Sequence, residues 1–104
     1  MNKYRINFSK TSKTDINNIF SYICDELKEP NIAQKLISKI KKEILSLQEM
    51  PTRFECAPDG RLKLQGIRKM VVDNYIIFYV VESNENVVFI VRILYGKRGW
   101  INLL

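Results

Sequence analysis

Residues 66–80 read Gly66-Ile-Arg-Lys-Met-Val-Val-Asp-Asn-Tyr-Ile-Ile-Phe-Tyr-Val80, and this stretch decides the fold. Arg68 to Val72 has the composition of a strand, Asp73-Asn74 that of a tight turn, and Tyr75 to Val81 is apolar at every position. A continuous apolar run of this length, bounded by turn residues, is expected of a central strand covered on both faces. Ser83-Asn-Glu-Asn86 makes the next turn and Val87 to Leu94 the next strand, giving an antiparallel meander.

Working outward, Tyr4 to Phe8 alternates apolar and polar residues, the pattern of a strand with one buried face. Thr11, Ser12 and Thr14 offer capping hydroxyls to a helix that follows. Ile16, Ile19, Phe20, Ile23 and Leu27 form its apolar stripe, with Cys24 expected as a small core residue. It should end near Lys28–Pro30, because proline disfavours helical geometry at the residue before it. A second helix from about Asn31 buries Ala33, Leu36, Ile37, Ile40, Ile44 and Leu47 and turns Lys35, Lys39 and Lys42 to another side. Residues 51–65 read as a loop punctuated by Pro51, Pro58, Asp59 and Gly60.

The predicted architecture is α+β: an N-terminal strand and a helical hairpin packed on one face of a twisted antiparallel sheet, with strand 1 alongside the C-terminal strands. Residues 1–104 make one domain of ordinary size. One hairpin covers only one face. Ile76, Phe78 and Val80 lie on one face of the central strand and Tyr75, Ile77, Tyr79 and Val81 on the other, so the face the hairpin leaves open needs a cover of its own, either the segment Trp100-Ile-Asn-Leu-Leu104, a partner chain, or both.

Composition narrows the chemistry. Seventeen basic against eleven acidic residues give +6, and residues 61–104 hold seven of the bases and three of the acids. Such a surface favours a phosphate backbone, an acidic protein or an anionic membrane, and charge alone does not choose among them. The chain has no histidine, which removes serine–histidine and cysteine–histidine catalysis. Two cysteines, Cys24 and Cys56, without metal-type spacing point to reduced thiols, no metal site and no cofactor. No apolar run is long enough to span a membrane and no signal peptide is evident, so a cytoplasmic protein without a membrane partner is expected.

The order strand, helical hairpin, loop and meander resembles the RelE/ParE superfamily of toxins from type II toxin–antitoxin systems. The resemblance rests on Tyr4-Arg-Ile-Asn-Phe-Ser9, Asp15-Ile16, Ile19-Phe-x-Tyr-Ile23, Pro30-Asn-x-Ala33, Leu47 through Pro51, the 66–80 block, and Val91-Arg-Ile-Leu-Tyr-Gly-Lys-Arg-Gly-Trp100. It implies a growth-inhibiting toxin of the plasmid-stabilisation type, held in a hetero-oligomer by a cognate antitoxin whose flexible segment folds as it binds. One branch of the superfamily cleaves messenger RNA on the ribosome; the other, resembling ParE, inhibits DNA gyrase. An inactive relic that serves only as a binding module is a third possibility.

For the nuclease branch the candidate catalytic residues are Arg68, Lys69, Arg92, Tyr95 and Arg98. For target or nucleic-acid binding they are Arg61, Lys63, Arg68, Lys69, Arg92, Lys97 and Arg98. Where the histidine-using nucleases place their histidine, this chain has Tyr95; where histidine-free ones carry an arginine after the aromatic that opens the long strand, it has Ile76. The ending Arg92-Ile-Leu-Tyr-Gly-Lys-Arg98 looks more like the ParE branch, which is the favoured side. Arg92 interrupts an apolar strand and is therefore either a paired structural charge or a functional one.

Overall fold

The computed structural model describes residues 3–96. Strand β1 (Arg5–Phe8) runs into α1 (Lys10–Ser21), a π-helical turn (Tyr22–Glu26) and α2 (Pro30–Leu45). Two 3-10 turns, Ser46–Gln48 and Pro51–Arg53, lead to a short helix α3 (Gly60–Leu64) and then to β2 (Arg68–Val72), β3 (Tyr75–Glu82) and β4 (Val87–Tyr95). The sheet order is β1-β4-β3-β2. Strands β2, β3 and β4 form the expected antiparallel meander, joined at the first turn by Asp73 in the left-handed region (φ 54°). Strand β1 lies alongside β4 as expected but runs parallel to it, so the sheet is mixed rather than wholly antiparallel. The helical hairpin supplies the physical reason, since it is the long crossover that a parallel pairing needs.

The α1 cap sits before the hydroxyls singled out in the sequence. Ser9 Oγ accepts from the Ser12 N–H at 2.9 Å, so the helix begins at Lys10, and Ser12 is itself buried inside it. Proline 30 opens α2 at its first turn, where the missing N–H costs nothing. Beneath the two helices lies the main core: Ile40, Ile44 and Leu47 from α2 and its exit meet Met70, Val72, Ile77, Tyr79, Val88, Ile90 and Ile93 from the sheet. The last two are three residues apart and still share this face. A bulge permits it: Phe78 pairs with Arg92 and Tyr79 with Ile90, so Val91 is the extra residue and the alternation restarts.

The second face is closed in part by a segment read from sequence as an open loop. Within it Asp59 Oδ1 accepts from the N–H groups of Arg61 and Leu62, nucleating α3. Leu62, with Ala57 and Ile67, packs on Ile76, Phe78 and Leu94. Ala57 N–H donates to Ile67 carbonyl oxygen at 2.8 Å and pins this flap to the edge of the sheet. The segment from Trp100 to Leu104, proposed as a cover, lies outside the described residues. Cys24 is half-buried rather than a core residue, because its neighbour Ile23 takes the inward position in the π-helical turn. Cys24 and Cys56 are both free thiols. None of the described helices is long and apolar enough to cross a membrane.

Candidate functional site

Arg92 leaves the apolar strand β4 to meet α1. Its Nε donates to Asp15 Oδ2 at 2.8 Å and its Nη2 to Asp15 Oδ1 at 3.0 Å, a two-pronged pair in which the carboxylate is nearly buried. The same Oδ2 accepts the backbone N–H of Ile93 at 3.0 Å. These bonds satisfy the β4 edge where β1 has ended. Ser9 does the same one step earlier, its N–H donating to Ile90 carbonyl oxygen and its hydroxyl to that of Val91. The hydrogen bond to Asp15 is the main cause that raises the Arg92 pKa above its ordinary value, with burial opposing it.

Beside this pair, the C-terminal end of β4 closes an apolar groove of about 1180 Å³ between the helical hairpin and the sheet. Ile19, Tyr22, Leu27, Ile32, Tyr75 and Tyr95 line it, among other residues. Tyr75 and Tyr95 meet edge to face, with ring centroids 5.6 Å apart. Burial, then the neighbouring Tyr95 and Tyr22, raise the Tyr75 pKa above the ordinary phenol value. Tyr22, Leu27 and Ile32 are each more than half exposed on its rim. Lys39 Nζ donates to Asp73 Oδ1 at 2.6 Å across the rim, tying the lysine face of α2 to the β2–β3 turn.

The remaining candidates sit elsewhere. Arg68 reaches back to the loop, where its Nη1 donates to the carbonyl oxygens of Phe54 (2.6 Å) and Thr52 (3.4 Å). Lys69, half-buried, pairs in register with Phe78, which faces Arg92 on its other side. Arg61 and Lys63 are exposed on α3, on the face opposite the hairpin. Lys97 and Arg98 lie outside the described residues.

Register shows what is brought together. Arg68 pairs with Tyr79 while Tyr95 pairs with Tyr75. Four residues at ~3.3 Å and two strand spacings of ~4.8 Å therefore separate Arg68 from Tyr95, about 13 Å along the sheet and about 10 Å across it. The Tyr95 end of β4 lies across β3 from the Val72 end of β2, both paired with Tyr75, at the far end from Arg68. Arg68, Lys69, Arg92 and Tyr95 do not converge on one point. Three of the four are engaged by a carbonyl pair, a carboxylate and a ring.

Sequence reasoning used Asp15 only within the family pattern and gave it no place in the site. The signal was present: Ser12, Asp15, Ile19 and Ile23 recur at three- and four-residue spacing, which sets a carboxylate on the inward stripe of α1. A buried carboxylate requires a cation, and Arg92 is the strand's own.

The family model for the ParE toxin of the type II toxin–antitoxin system parDE matches residues 6–100. The chain belongs to this toxin family. Among solved structures it is similar to the chromosomal ParDE system of P. aeruginosa, with a TM-score of 0.74 at 16% identity, covering 91% of this chain and 98% of that one. The RelBE2 toxin–antitoxin complex of Mycobacterium tuberculosis follows at 0.66 and 16%, covering 89% and 98%. A mutant of the E. coli toxin RelE in the free state gives 0.68 and 14%, covering 97% and 92%. No match was found among curated proteins. At these identities the structural likeness speaks for the shared α+β fold, and the family match for a ParE/RelE-type toxin.

Proposed function

We propose that this ParE-family chain acts in the cytoplasm as a plasmid-stabilisation-type toxin, neutralised by a cognate antitoxin and poisoning DNA gyrase by binding it. The observation that supports the binding reading is the separation, among the described nuclease candidates, of Arg68 from Tyr95 and the engagement of Arg92 by Asp15. Cleavage by a 2′-hydroxyl needs a base, a cationic cradle and a proton donor within reach of one phosphate. Arg68 is spent on the Phe54 carbonyl, Arg92 on Asp15, and Tyr95 stands against Tyr75 at the other end of the sheet. The ParE family match supports gyrase over the ribosome as target. The antitoxin partner is supported by neighbours that are themselves toxin–antitoxin complexes. The apolar, tyrosine-lined groove offers a surface suited to a polypeptide, and the exposed Arg61 and Lys63 of α3 offer a target contact.

Induced expression without an antitoxin tests the proposal. Growth should stop, cells should elongate with damaged DNA, and messages should stay intact. Primer extension showing codon-phased cuts would replace it with the ribosome-dependent nuclease, and unimpeded growth at good yield with a relic.

A further inference from the structure

We propose that Asp15 determines which class of macromolecule the β4 strand can meet, by withdrawing Arg92 from phosphate contact. The inference rests on the reading of this chain as a binding poison rather than a nuclease. A guanidinium recognises phosphate through a fork of parallel N–H donors, and a carboxylate uses the same fork. In this molecule Asp15 occupies it, taking Nε at 2.8 Å and Nη2 at 3.0 Å while holding the Ile93 N–H. Both partners are largely out of water, the side chains being 21% and 9% exposed for Arg92 and Asp15. Exchanging the carboxylate for a phosphate would strand a buried negative charge beside an arriving one, so the exchange does not occur. A residue 77 positions away in the sequence thus cancels the charge that Arg92 carries on the strand. Asp15 is a positioning residue, acting through Arg92.

The test is phosphate-backbone binding by the purified full chain, read by anisotropy of a fluorescein-labelled oligouridylate across a salt series. Asp15→Asn keeps an acceptor for the Ile93 N–H but removes the charge. It should bind several-fold tighter than wild type, with a salt dependence steeper by about one phosphate contact. The double variant Asp15→Asn/Arg92→Gln should return both quantities to wild type, which a merely structural role for Asp15 would not produce. Circular dichroism confirms folding in each case. Should Asp15→Asn not fold, Arg92→Gln alone decides, since glutamine still donates to Asp15; the wild-type salt slope should be unchanged. A slope lowered by about one in Arg92→Gln, or an unaltered slope in folded Asp15→Asn, would overturn the proposal. Messenger cleavage by the wild type would instead strike the binding-poison reading, a separate result.

Discussion

Against the helical hairpin the sheet buries Met70, Val72, Ile77, Tyr79, Val88, Ile90 and Ile93; on its other face Ile76, Phe78 and Leu94 meet only Ala57, Leu62 and Ile67 among buried described residues. The first face is held by two helices of twelve and sixteen residues that share a stripe of isoleucines and leucines. Among the described residues, the second is covered by a five-residue helix on a flap. A helix that short is not stable by its own hydrogen bonds, so it survives through its cap and through Leu62. Among the described residues, the hairpin face carries the larger buried core and the other face the smaller one.

Substitutions on the two faces measure that inequality. Ile77→Ala, at the fully buried centre of the hairpin face, should cost about 4 kcal/mol in urea denaturation, since no short segment can collapse into the space. Leu62→Ala should cost less, about 2 kcal/mol, because α3 can shift toward the sheet; equal losses would show the flap to be as rigid as the helices. Tyr79→Phe removes a 2.7 Å hydrogen bond to the Pro51 carbonyl oxygen and should cost about 1.5 kcal/mol.

Tyr79 also sets a pH limit. Burial is the main cause that pushes its pKa up to about 12, against the pull of Arg68 and Arg53. An unfolded tyrosine ionises near ~10, so above that pH the unfolded state binds fewer protons and stability falls. The Tyr79 contribution is complete below about pH 10 and declines toward about pH 12. The urea midpoint of the wild type should therefore drop over this range more steeply than that of Tyr79→Phe. Smallest of all is the rim pair: Lys39→Ala breaks a solvent-exposed bridge to Asp73 and should leave the urea midpoint essentially unchanged. A larger loss would mean that the groove wall leans on this contact.

The contrast also explains what could be read in advance. The strands of the meander and both long helices were legible because each carries its period over many residues, as in Tyr75 to Val81 and in Ala33 to Leu47. Helix α3 was not, because Gly60–Leu64 spans little more than one turn and is preceded by turn-forming Pro58 and Asp59. Parallel pairing of β1 leaves no mark in a four-residue strand. The candidate cations were found as residue types, whereas their dispersal was not, since it depends on register: one paired position sends Arg68 toward the 52–54 carbonyls and Tyr95 to the opposite end. Asp15 and Arg92 were each visible; only tertiary structure joins them across 77 positions.

The most direct measurement of the central claim mixes the purified chain with gyrase and relaxed plasmid and follows supercoiling, beside a parallel reaction with ribosomes and messenger RNA. Inhibited supercoiling with an uncut message is the outcome predicted for a toxin whose Arg92 is held by Asp15 and whose Arg68 and Tyr95 lie at opposite ends of the sheet. A cut message with gyrase unaffected would contradict it.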